Sequence, residues 1–152
     1  VTTLYAALKT LHLLAIVFWI GGMAFAHFAL RPALAVLEPP ARVALMHAVL
    51  GRFFAAVLVL VVLALASGLA MIGLFHAGGG RDLPWTWGAM TALGLVMAAV
   101  FGHIRFVLYR RLQRAVAAGD WPAGGSLLGS IRTWVGANLA IGVAIVLLVG
   151  LG

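Results

Sequence analysis

The chain has no cysteine among its 152 residues. That removes disulfides, iron–sulfur clusters, thiolate copper sites and thiol nucleophiles together. Acidic residues are nearly as scarce: Glu38, Asp82 and Asp120 are the three, and each falls in a connection between apolar runs. Proton-coupled pumps and symporters place carboxylates inside their helix bundles, so this pattern argues against both. Ser67, Thr86 and Thr91 stand alone, without the base that would activate a nucleophile. There is no phosphate-cradling loop, no zinc-spaced cluster and no internal repeat.

What remains is apolar. Hydrophobic residues make up 65% of the chain and charged residues 9%, and the mean hydropathy is +1.19. A soluble domain carries far more charge, so the composition is that of a membrane protein in contact with a lipid bilayer. The net charge of +7 then reads as membrane topology and not as nucleic-acid binding, because arginines collect at the cytoplasmic ends of spans.

The run at residues 11–25 anchors the reading. It is nearly long enough to cross a bilayer, it holds His12 among apolar neighbours, and it contains the pair Gly21-Gly22. Lys9, the apolar run and Ala24-Phe25-Ala26 imitate a secretory signal, but the segment is read here as the first transmembrane helix. Four spans are expected in a single domain over 1–152, at about 4–30, 53–75, 85–117 and 127–151. The first should stop at Arg31-Pro32. A separate short amphipathic piece is expected from Pro39 to Arg52, and the second span offers Ala64 and Gly68 as a small-residue contact face. Residues 120–126 read as a loop before the last helix.

Of the ten basic residues in the chain, eight (Arg31, Arg42, Arg52, Arg105, Arg110, Arg111, Arg114 and Arg132) belong to the 1–2 and 3–4 connections and their flanks, leaving Lys9 and Arg81 at the other end. The expected fold is therefore an all-α, up-down bundle of four transmembrane helices in a bacterial inner membrane, with both termini on the outer, periplasmic side.

Five histidines, His12, His27, His47, His76 and His103, are the strongest candidate ligands. His12 lies about 12 Å in from the outer end of its helix, at 1.5 Å per residue. An ionisable group there is costly unless it faces protein, water or a ligand. At its level lie Met71 and Met90. His12 with Met90 would make a haem b axial pair, and His12 with Met71 and Met90 would make a soft copper site. The competing reading is a histidine bonded to a neighbouring helix, with methionines that only fill the core. His103, roughly 15 Å from His12 in depth, is too far away to share its metal. With His27 it lies among Arg31, Arg52, Arg105 and Arg132, where a haem would find an imidazole and partners for its propionates; interfacial anchoring explains the same arginines. Asn138 reads as an interhelical hydrogen bonder.

Several stretches carry a family resemblance. They are Leu11-His12 with Trp19-Ile20-Gly21-Gly22-Met23, then Leu30-Arg31-Pro32-Ala33, Arg52-Phe53-Phe54, and Gly94-Leu95-Val96-Met97 leading to His103. Tyr109-Arg110-Arg111-Leu112, Ala118-Gly119-Asp120-Trp121-Pro122, Ile131-Arg132 and Asn138-Leu139 complete the set. In their order and spacing they resemble the CopD-type membrane proteins, over nearly the whole length. The first helix and His103 are more distantly similar to HemJ-type protoporphyrinogen oxidases. The resemblance implies a compact membrane protein with a haem or copper role in electron transfer or metal handling. HemJ-type oxidases carry a histidine and a lysine early in the third helix, where this chain reads Trp87-Gly88-Ala89-Met90-Thr91, so that enzymatic activity does not carry over. Two alternatives stand beside this expectation: copper transport, and a cofactor-free accessory subunit packed against other subunits of a membrane complex.

Overall fold

The computed structural model describes residues 2–152, which form four long helices and no strand. We label them α1 (Thr2–Val36), α2 (Pro39–Ala77), α3 (Trp85–Ala117) and α4 (Trp121–Leu151); each is long and apolar enough to cross a membrane. Short connections force neighbours to run antiparallel, giving the up-down order. The closest pairings are α1 with α2 and α3 with α4, and α4 also touches α1 and α2.

Helix α1 does not stop at Arg31-Pro32. Pro32 has no N–H to give, and the chain absorbs that loss by widening the turn before it. Residues Ala26–Leu30 form a π turn, closed by the Arg31 N–H on the Ala26 carbonyl. Helix resumes with Pro32 in its first turn and ends in a tight 3-10 turn at Leu34–Val36. A second π turn, Ile104–Leu108, interrupts α3.

The expected amphipathic piece and the second span are one helix of 39 residues. Nothing between Pro40 and Ala77 breaks it: no proline intervenes, and Arg52 is exposed and needs no partner inside. At 1.5 Å per residue, α2 is about 58 Å long, roughly twice the thickness of the hydrocarbon layer. Its first turns therefore project beyond the bilayer.

Helix α4 begins at Trp121, ahead of the expected start, because residues 120–126 are not a loop. The Asp120 carboxylate accepts the Ala123 N–H at 3.2 Å, and Pro122 sits in the first turn. Both are helix-start chemistry. Gly119, at φ +67°, makes the reversal that precedes them.

Helices α1 and α2 meet where glycine allows it. A Cβ on Gly22 would run into the Phe53 ring, whereas Gly21 has open space around it. Further in, Trp19, Phe101, Phe54 and Tyr109 form an edge-to-face chain with centroid spacings of 6.4, 5.7 and 5.6 Å. At the arginine-rich end, the projecting turns of α2 and α3 share a core with α4. Leu112 is fully buried there, and Val43 fills the notch left by Gly124. Phe18, Val62, Leu95 and Leu147 face outward, as lipid-facing side chains do.

Candidate functional site

Two regions gather the candidate residues, one at each end of the bundle. In the first, His12 is half-buried on α1 and turned toward α2. Its Nδ1–H donates to the Ala64 carbonyl at 2.8 Å, and the Ser67 hydroxyl lies 3.1 Å from the same nitrogen. Ser67 is buried and donates to the Leu63 carbonyl at 2.6 Å. Gly68 makes room for the ring: a Cβ there would lie 3.2 Å from the imidazole Cε1. Ala64, Ser67 and Gly68 thus form a notch one turn deep that grips one edge of the imidazole.

The consequence is chemical. A neutral imidazole whose Nδ1 carries the proton presents an unprotonated Nε2, the atom that binds metals. Met71, four positions after Ser67, is buried on the same face of α2, one turn nearer its Ala77 end. Met90 is half-buried on α3 and packs against the main core. No three His, Asp or Glu side chains come together as a metal-binding group among the described residues. The donor side chains toward this end are the imidazoles of His12 and His76 and the thioethers of Met71 and Met90, a set suited to a soft ion.

The second region is a cavity of about 770 Å³ at the arginine-rich end, between the end of α1, the start of α2 and the first half of α4. His27, Arg31, Arg42 and Arg132 line it, with apolar walls that include Met46, Leu50 and Val135. The π turn positions His27, whose ring rests where a Cβ on Gly136 would come within 3.2 Å of it. One nitrogen of Arg31, Nη1, is buried and has no hydrogen-bond partner among the described residues. Arg42 donates through Nε to the Leu37 carbonyl at 2.7 Å.

The structure divides the inner group that the sequence placed together. His27, Arg31 and Arg132 meet in the cavity. His103 does not line it; the ring packs against Trp134 with centroids 4.8 Å apart. Arg105 lies over the Tyr109 ring at 5.1 Å, and Tyr109 in turn stacks on His47. Arg52 points outward. His76 closes the far end of α2 on the Gly80 carbonyl at 3.0 Å. Asn138 is buried and donates to the Met97 carbonyl at 3.2 Å, joining α4 to α3.

Two residues that matter were not singled out as candidates in the sequence. Ser67 read as an isolated hydroxyl, yet a serine three positions after Ala64 on the small-residue face was the available signal. Arg42 read as an interfacial anchor, and only the fold brings it to the same cavity as Arg31.

A sequence-family model described as CopD, copper resistance protein D, matches residues 47–151. No curated protein and no solved structure matches the chain.

Proposed function

We propose that this chain, which belongs to the CopD family, is a membrane copper-handling protein whose His12 binds Cu(I) as cargo in the outer half of the bundle. One observation carries the reading: the Ala64 carbonyl and the Ser67 hydroxyl occupy Nδ1 and leave Nε2 as the ligand atom. Met71 and Met90 supply the thioethers that a soft ion prefers. Ser67 and Gly68 act on the ring, setting its tautomer and tilt. The scarcity of carboxylates suits passage or handover of an ion without coupled proton transfer.

The concentration of arginines at the ends of α1 and α3 and the starts of α2 and α4 supports an inner-membrane orientation with that end in the cytoplasm. His12 is then on the periplasmic side, where copper enters from outside the cell.

The test is anaerobic Cu(I) titration of purified protein against a chromophoric chelator, paired with metal analysis. The expected result is one tightly held copper that His12→Gln abolishes and Met71→Leu weakens. Equal copper in wild type and His12→Gln would remove the proposal. A Soret band lost with His12→Gln would instead assign His12 to haem b.

A second reading, a cofactor-free accessory subunit, is favoured by an apolar groove on the outer face of α1 and α2. Val17, Phe18, Gly21, Ala56 and Val59 line it, and its small residues suit a partner helix. Copurification of a stoichiometric membrane partner, with neither copper nor pigment bound, would favour this reading.

A further inference from the structure

We infer that the cavity at the arginine-rich end binds the phosphate headgroup of an anionic phospholipid, held by Arg31 and Arg132. This site is independent of the copper site and stands whether or not that reading holds.

The charge arrangement comes first. Three guanidinium groups and an imidazole line the cavity, and no acidic side chain among the described residues does. Arg31 carries the sharpest signal, because its Nη1 is withdrawn from solvent without an acceptor. Burying a guanidinium donor unpaired is unfavourable, and the neighbouring charge of Arg132 adds repulsion. An anion between the two relieves both penalties at once. The planar fork of arginine matches phosphate oxygens in pairs, which an isolated ammonium does not.

The walls then narrow the class of anion. At about 770 Å³ the cavity exceeds what an inorganic ion fills, and Met46, Leu50 and Val135 offer it apolar surface. A ligand with a phosphate at one end and hydrocarbon at the other satisfies both linings. Position agrees, since Arg31 and Arg132 mark the end of the bundle where lipid headgroups lie. Basic pockets between spans on the cytoplasmic side are where anionic headgroups bind. Local architecture agrees: His27 lies within the π turn and Arg31 closes it, and both line the same wall of the cavity.

Native mass spectrometry of delipidated protein in detergent tests this, titrating phosphatidylglycerol, phosphatidylcholine and inorganic phosphate separately. Phosphatidylglycerol should be retained, phosphatidylcholine should not, and inorganic phosphate should neither bind comparably nor displace the lipid. Arg31→Gln and Arg132→Gln should each weaken retention at least about tenfold, as loss of a paired charge-assisted contact does. Arg31→Lys, which keeps the charge and loses the fork, should fall between them and wild type. The exposed pair Arg110→Gln and Arg111→Gln should change nothing, and unchanged helical circular dichroism guards against misfolding. Four results would each overturn the inference: equal retention of both lipids, equal loss in the surface pair, tight binding of inorganic phosphate alone, or a haem-like pigment in place of the lipid.

Discussion

The imidazole of His12 and the main-chain oxygen of Ala64 stand 2.8 Å apart across the seam between α1 and α2. A helix carbonyl that already serves its own ladder accepts a second donor here, and the ring cannot turn without giving that up. Such outer contacts fix a ligand histidine's orientation, and their loss costs about 10–100-fold in metal affinity. Gly68→Val would press on the ring at Cε1. Its copper affinity should fall within that range while helicity holds. Gly73→Val, in open space on the same helix, should leave affinity unchanged in the same titration.

The two adjacent glycines of α1 should respond oppositely. Gly22→Ala sets a Cβ against the Phe53 ring, and overpacking of this kind costs about 1–3 kcal/mol. Gly21→Ala meets nothing within 4 Å and should be neutral or slightly stabilising, since alanine is the better helix former. Unfolding in mixed detergent micelles would measure the difference.

Asn138 should matter less than its burial suggests. Its amide donates one bond of 3.2 Å to the Met97 carbonyl, and its Oδ1 is buried without a partner among the described residues. Interhelical hydrogen bonds in membranes average about 0.6 kcal/mol, and removing an unsatisfied acceptor is favourable. Asn138→Leu should therefore shift stability by less than about 1 kcal/mol. Asn138→Asp would bury a carboxylate and should cost about 3 kcal/mol or more; the same unfolding assay distinguishes them.

Orientation can be read directly because the chain has no cysteine of its own. Asp82→Cys and Gln113→Cys place single thiols at exposed positions on opposite ends of the bundle. In intact cells, a membrane-impermeant maleimide should modify the first and reach the second only after permeabilisation. The reverse pattern would invert the assigned topology.

Tyr109 separates packing from hydrogen bonding. Its hydroxyl donates to the His47 carbonyl at 3.3 Å, a long bond, while the ring stacks on His47 and meets Phe54 edge-on. Tyr109→Phe should lose less than about 1 kcal/mol. Tyr109→Ala should lose about 3–5 kcal/mol by leaving a cavity.

The four spans were legible because unbroken apolar runs leave the backbone one way to satisfy itself in lipid. The helix ends were harder. Pro32 is ordinarily a stop, and nothing in the sequence shows that a π turn will absorb it. Residues 120–126 are rich in glycine and read as a loop, although Asp120 followed by Pro122 already carried a helix start. His12 stood out as a polar group in an apolar run, but its grip on Ala64 depends on how two helices settle against each other. The arginines were legible only as a charge asymmetry between the two ends of the bundle. That Arg31, Arg42 and Arg132 share one cavity while Arg52 and Arg105 turn elsewhere depends on helix rotation, which an average over hydropathy cannot register.

Helix α2 touches both regions without a break: Met46 borders the cavity near its start, and Ala64 holds His12 about 27 Å further along, at 1.5 Å per residue. It has neither proline nor π turn between them to take up slack. With nothing in this stretch to flex, one unbroken helix fixes the separation between the cavity and the notch that holds His12.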